Sequence, residues 1–348
     1  MNILLKSLAV FLLTTSVYSQ VTNIPNISVI GNFLGSSSDE SKTFEVKEIE
    51  FSFQHYLYPG INANVFTALH KEESGERVFE LEEAYVDFTN LTEVFFGNND
   101  ERFQIGSTVG KKFLNVGKIN ALHPEQWNFV DRSTPTQYML GGEENLSAEG
   151  AQASYLLPLP FFSQIEAGYW TANADTHEGE EHSSVEYTNR LFTARLWNGF
   201  ELSETDEIEI SISNLVGNAT ATSTDDKQDL LVYNINYLKE LNNDKLTVTG
   251  EVYSAEYGED GEARETQDGF FLSGHYSFNN QYEAGIRYGF LGKHGDEGDN
   301  TRQYSYLVTK RLTETSKFRI QVNTGDNIED TVLAQFIFGM GPHSHVLQ

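Results

Sequence analysis

Residues 117–133 read GKINALHPEQWNFVDRS and concentrate chemically capable side chains in seventeen positions. Lys118, His123, Glu125, Asp131 and Arg132 lie there, with Trp127 and Phe129 between them. His123, Pro124 and Glu125 put an imidazole beside a carboxylate, a pair that could hold a metal. His123 with Asp131 offers an acid and a base. No serine stands in a nucleophile elbow or triad setting, so the chain is not expected to be an enzyme. The plain structural reading of His123 is a hydrogen-bonded residue, because a lone histidine more often satisfies its neighbours than binds an ion.

A second cluster, His177-Glu178-Gly179-Glu180-Glu181-His182, sets two imidazoles and three carboxylates within six residues. Imidazole and carboxylate suit zinc and related divalent ions, with His177, Glu180 and His182 as candidate ligands. The competing reading is a solvated acidic loop tip. Gly295–Asn300 (GDEGDN) offers oxygens to calcium but lacks the EF-hand spacing. His343 and His345, in the tail after GMGP, form a third metal candidate. A divalent metal, zinc or calcium, is thus the only cofactor these residues suggest.

The chain has 348 residues, a formal charge of −28, 39% hydrophobic and 13% aromatic residues, and no cysteine. The acid excess argues against a nucleic-acid partner, which needs basic surface. So many aromatics argue against disorder. Without cysteine there are no disulfides, no acylated lipoprotein anchor and no thiol chemistry. Residues 1–19 place Lys6 before the apolar run 8–13 and end in Val17-x-Ser19, the order of a secretory signal peptide. No later stretch approaches the ~18 apolar residues of a membrane helix. The expected product is one exported domain, residues 20–348.

Period-two alternation positions everything else. Glu207–Ser213 sets Ile208, Ile210 and Ile212 against Glu207, Glu209 and Ser211, and Gln281–Leu291 sets Tyr282, Ala284, Ile286, Tyr288 and Phe290 against Glu283, Gly285, Arg287 and Gly289. Such stretches are half-buried strands. About sixteen are countable, and no stretch shows a helical stripe. Their connections alternate. LYPG, LPLPF, ELNND and FNNQ are tight; GSSSDESK, KEESGE and GNATATSTDDKQD are long, acidic and polar. Aromatics such as Tyr56, Tyr58, Phe161, Phe162, Phe278, Tyr282, Tyr304 and Tyr306 cluster near strand ends. This pattern predicts an all-β transmembrane antiparallel up-and-down barrel of about 16 strands (14–18), with a polar lumen, lipid outside and girdled ends.

One connection breaks the rule. Between strands five and six, residues 110–148 carry Phe113, Leu114, Val116, Ile119, Leu122, Trp127, Phe129, Val130, Tyr138, Met139 and Leu140. A connection this long without alternation is uncommon and tends to be functional. Its apolar side chains demand burial, so it should fold into the lumen, with Trp127 and Phe129 as anchors. Lys111, Lys112, Lys118, His123, Glu125, Asp131 and Arg132 would then form a constriction, either an ion filter or a brace of internal ion pairs. Inward wall candidates are of mixed sign: Glu48, Glu50, Glu207, Glu209 and Glu283 against Arg195, Arg287, Lys317 and Arg319.

The run G-K-I-N-x-L-H-P-x-Q-W-x-F-V-D-R (117–132) resembles a bacterial outer-membrane family of porin-like proteins, also labelled zinc-regulated outer-membrane receptors. L-S-x-x-G-x-Q (146–152), LEEAY (81–85), ISVIGNFLG (27–35) and the ending FGMGPHSH share the resemblance. The family is similar at a distance to phosphate-selective porins. The resemblance implies an outer-membrane channel for small hydrophilic solutes or ions. A zinc-binding or zinc-uptake barrel and a surface structural or adhesin barrel are the alternatives. Two points depart from those labels. The first strand begins too early for a TonB-dependent plug, and the chain is too acidic overall for an obviously basic phosphate lumen. By analogy with porins of this size the assembly is a homotrimer.

Overall fold

Sixteen antiparallel strands hydrogen-bond in sequence order, and the last pairs with the first. The computed structural model describes residues 24–71, 75–97, 104–172, 186–220, 227–258, 264–293 and 299–342. β1 (Asn26–Ser37), β2 (Lys42–Tyr58), β3 (Ile61–Lys71) and β4 (Arg77–Phe88) precede a short helix, α1 (Leu91–Phe96). β5 (Ile105–Phe113) leads through the long connection and helix α2 (Thr134–Met139) to β6 (Ser147–Leu156) and β7 (Phe162–Ala172). β8 (Glu186–Glu201), β9 (Asp206–Thr220), β10 (Lys227–Leu241), β11 (Asp244–Gly258) and β12 (Glu265–Phe278) follow. β13 (Tyr282–Leu291), β14 (Thr301–Thr313), β15 (Ser316–Asp326) and β16 (Thr331–Met340) complete the wall. Closure runs from Val29 opposite Met340 to Ser37 opposite Val332, so no edge strand is left unpaired.

The strand pattern sorts side chains as the alternation predicts. On β9, Ile210 and Ile212 are exposed on the outer wall while Ser211 and Ser213 are buried inside. On β13, Tyr282 and Ile286 face out, and Glu283 and Arg287 face in. Apolar outside and polar inside is the arrangement stable in lipid, where every backbone group must be paired within the protein. Aromatic pairs mark both rims. Phe162 with Trp197 and Phe161 with Phe200 (ring centroids 4.7 Å apart in each pair) sit at the tight-turn end. Tyr169 with Phe192 (5.0 Å) and Tyr288 with Tyr304 (5.1 Å) sit at the other.

Tight turns are made by residues that tolerate positive φ: Gly60 (77°), Asn242 (59°), Asn279 (48°) and Asn280 (54°). One connection at that end, residues 89–104, is longer and carries α1. Asn90 caps it by accepting from the Thr92 and Glu93 amides, and Gly97 ends it at φ 63°. The alternation did not reveal α1 or α2, because six residues are too few to draw a helical stripe.

The long connection is shorter than the 110–148 expected from sequence. The ladder between β5 and β6 continues to Phe113 opposite Ser147, leaving 114–146 between strands. Lys111 and Lys112 are therefore wall residues of β5, opposite Glu149 and Ala148. Residues 1–23, with the expected signal peptide, lie outside the described residues. So do His177, Glu180, His182, His343, His345 and most of Gly295–Asn300.

Candidate functional site

Residues 114–146 dock against the inner wall on three sides. Leu114 donates its amide to the Leu146 carbonyl at 2.9 Å, so the excursion leaves and rejoins the wall at one point. Asn120 holds its neck: its Nδ2 donates to the carbonyls of Leu114 (2.9 Å) and Leu146 (3.0 Å), and its Oδ1 accepts from the Leu146 amide (2.8 Å).

The first contact is apolar. Leu114, Val116, Met139, Leu140 and Leu146 pack against Trp170, Leu191, Leu215, Leu230, Val232, Tyr253 and Phe271, inward residues of β7 to β12. Each such side chain, fully buried, contributes about 1.5–3 kcal/mol. These wall residues lie toward the long-connection rim, so the inner face is not polar throughout. Polar inward residues such as Ser211, Asn234 and Glu251 share these strands with the apolar patch, so the expectation of a polar lumen holds outside the patch.

The second contact is a buried histidine. His123 Nδ1 lies 2.9 Å from Glu50 Oε2 on β2, and its Nε2 lies 2.9 Å from Glu83 Oε2 on β4. Phe66 and Phe113 rings flank it, with centroids at 4.7 and 4.9 Å. Burial disfavours the imidazolium, but Glu50 and Glu83 together outweigh it and hold the His123 pKa well above the ordinary histidine value. A charged imidazole donating to two carboxylates ties the segment to both strands.

The third contact is cationic, from β13 and β15. Arg319 Nη1 donates to the Trp127 carbonyl (2.7 Å) and the Phe129 carbonyl (3.0 Å), and its Nε donates to Gln335 Oε1 (2.7 Å). Lys317 Nζ donates to the Glu125 carbonyl at 2.6 Å. Arg287 pairs with Asp131 and lies over the Phe129 ring, 4.7 Å from its centroid. Asp131 also accepts from Gln321 Nε2 and Asn323 Nδ2, each at 2.7 Å. On the β9–β11 side, Lys118 Nζ reaches Glu209 at 2.6 Å, and Glu251 accepts from the Lys118 and Ile119 amides. Gly117 makes that approach feasible: at φ +66° a Cβ there would lie 2.8 Å from a Glu251 carboxylate oxygen.

The residues expected at a constriction thus divide. His123 and Arg132 are buried and face no solute. Arg132 is spent on the segment's own backbone, donating to the carbonyls of Leu140 (3.0 Å), Gly142 (3.1 Å) and Glu144, and to Asn120 Oδ1 (3.1 Å). Lys111 donates to the Leu81 carbonyl at 2.7 Å and lies 3.7 Å from Glu80, while Lys112 sits 5.5 Å from the Tyr85 ring centroid. Lys118, Glu125 and Asp131 keep partial exposure. Trp127 and Phe129 are buried, Trp127 donating its indole N–H to the Leu122 carbonyl at 2.9 Å. Sequence reasoning missed the pairings of Glu83 and Glu251 with the segment, since nothing along the chain connects positions 40 to 133 residues apart.

No family model matches the chain. An uncharacterized protein of Aquifex aeolicus (strain VF5) is 22% identical, over 94% of this chain and 81% of that one. Among solved structures, the chain is similar to a loop L8 deletion mutant of OmpT, an outer membrane protein of Vibrio cholerae. That match has 11% identity and a TM-score of 0.61, over 91% of this chain and 99% of that one. It is also similar to the outer membrane channel DcaP of Acinetobacter baumannii, at 12% identity and a TM-score of 0.58, over 91% and 96%. The anion-selective porin from Comamonas acidovorans matches at 9% identity and a TM-score of 0.59, over 90% and 98%. At these identities the likeness is one of fold: a closed, 16-stranded antiparallel barrel, the architecture of those outer-membrane proteins.

Proposed function

We propose that this chain is an outer-membrane channel for small hydrophilic solutes or ions, narrowed by residues 114–146. The observation that carries the reading is the docking of that segment inside a closed barrel on a wall rich in charged and amide side chains. The fold shared with a channel and an anion-selective porin supports it. In this reading residues 1–19 direct export, lipid surrounds the apolar outer wall, and the assembly is a homotrimer. Where the segment docks it covers the wall completely: Glu251 and Gln321 have no accessible surface. Ions then meet the charges that keep some exposure: Lys118, Glu209, Glu125 and Asp131. Filter and brace coexist, with His123, Arg132 and Arg319 fixing the segment and Lys118, Glu125 and Asp131 facing the path. The finer kinships, to zinc-regulated receptors or phosphate-selective porins, add no residue to this mechanism.

The test is ion passage in planar bilayers. The purified wild-type barrel should form channels, and absence of channels would sink the reading. Lys118→Glu places a second carboxylate beside Glu209. It should raise cation over anion preference by roughly three- to tenfold at low salt, read from the reversal potential in a salt gradient. An unchanged reversal potential would remove Lys118 from the path.

A further inference from the structure

The patch where His123 meets β2 and β4 gathers more carboxyl groups than one imidazole can pair. Glu48, Glu50, Glu82 and Glu83 all act electrostatically on one another or on His123 there, and Glu125 and Glu144 add to the same field. The further cation nearby, Lys112, acts on Glu83. Glu48 Oε1 and Glu82 Oε2 are buried and meet no donor except each other's carboxyl group. Two buried carboxyl groups with only each other as partner are costly. Donor atoms of Glu50, Glu82 and His123 lie within 4.8 Å of one another.

We propose that this patch is a divalent-cation site, with Glu50, Glu82 and His123 Nδ1 as ligands. The two imidazole nitrogens have separate tasks. Nε2 faces Glu83, the carboxylate-to-histidine contact that fixes ring orientation and tautomer in metal sites. Nδ1 faces Glu50, on the side where Glu82 completes the donor set. Phe66 and Phe113 both pack on the ring, and with the Glu83 contact they restrict its rotation. Tetrahedral ligand distances of about 2.0–2.2 Å set donors roughly 3.4 Å apart, so the three donors must close by up to about 1.4 Å from their present spacing. One imidazole with carboxylates suits zinc or a similar transition metal, whereas calcium needs six to eight oxygens. The ion takes the place of the Nδ1 proton and of any proton shared by Glu48 and Glu82, so binding releases at least one proton. Glu50 lies on β2, Glu82 on β4 and His123 in the docked segment, so the ion would latch that segment to the wall. The site does not depend on whether the barrel conducts.

The experiment uses a full chain with His177, His182, His343 and His345 all changed to Asn, refolded with zinc chloride and studied by calorimetry. One zinc per chain is expected, with a binding heat that varies with buffer ionisation as at least one proton leaves. Glu82→Gln, which leaves both His123 contacts in place, should weaken binding at least tenfold. If that variant fails to refold, cobalt(II) loaded into the parent chain should give a visible absorption band that is lost in His123→Gln. Absence of zinc binding in the parent, or equal affinity in Glu82→Gln, overturns the proposal, as does a cobalt band indifferent to His123.

Discussion

His123→Leu is expected to free residues 114–146 from β2 and β4 while the sixteen-stranded ladder stays closed. Leucine fits between the Phe66 and Phe113 rings, so loss of packing is the smaller effect. The larger one is charge. Glu50 and Glu83, both buried, would face an apolar side chain where each now meets an imidazole nitrogen at 2.9 Å. Removing one partner of a buried ion pair costs about 3–5 kcal/mol. The barrel strands keep their backbone hydrogen bonds, so this cost falls on docking rather than on the fold. Amide hydrogen exchange within 114–146 should accelerate between about a hundredfold and a few thousandfold, with little change in the strands. Exchange within threefold of wild type would mean that His123 contributes nothing to docking. Replacing Glu50 and Glu83 by Gln in the same chain should recover part of the protection, because the stranded charges are then gone.

Arg319→Met is the second large effect, and it acts on the opposite wall. The guanidinium is buried and holds the Trp127 and Phe129 carbonyls at 2.7 and 3.0 Å. Methionine matches its stem but donates nothing. Two buried carbonyls lose a partner at about 1–3 kcal/mol each. Loss of a buried positive charge that hydrogen-bonds neutral oxygens offsets part of this, so we expect a net cost of about 2–4 kcal/mol. Trp127 reports it directly. In a background with Trp170 and Trp197 changed to Phe, its emission should shift to the red as residues 127–129 leave the wall. Arg319→Lys keeps the charge without the fork that reaches both carbonyls, and should give an intermediate shift. Wild-type emission in Arg319→Met would show that these bonds do not hold the segment.

The barrel was legible because its determinant is local. Period-two alternation needs only neighbours along the chain, and it placed all sixteen strands and the correct face of Ile210, Arg287 and Glu283. The apolar content of the long connection demands burial, and Leu114, Val116 and Leu140 are fully buried. Its limits were not legible. Lys111 and Lys112 look like loop charges in sequence, yet pairing with β6 makes them wall residues. Nor could sequence separate the two uses of charge. Arg132 and Asp131 are adjacent, but Arg132 is enclosed by the segment's own carbonyls while Asp131 reaches β13 and β15. The apolar inner zone on β7 to β12 escaped notice for a similar reason. Leu215, Leu230 and Val232 read as ordinary strand residues until the segment that covers them is in place.

If residues 114–146 set the passage through the barrel, removing them must widen it. Leu114 and Leu146 are joined by a backbone hydrogen bond of 2.9 Å, so residues 115–145 can be replaced by a short Asn-Gly turn without stretching the wall. The direct measurement is single-channel conductance of this shortened barrel beside the full chain, in the same planar bilayer and salt, after circular dichroism has shown equal strand content. A several-fold larger unitary conductance is expected for the shortened barrel, with weaker discrimination between cations and anions. Equal conductance and equal ion preference would mean that the segment does not set the passage.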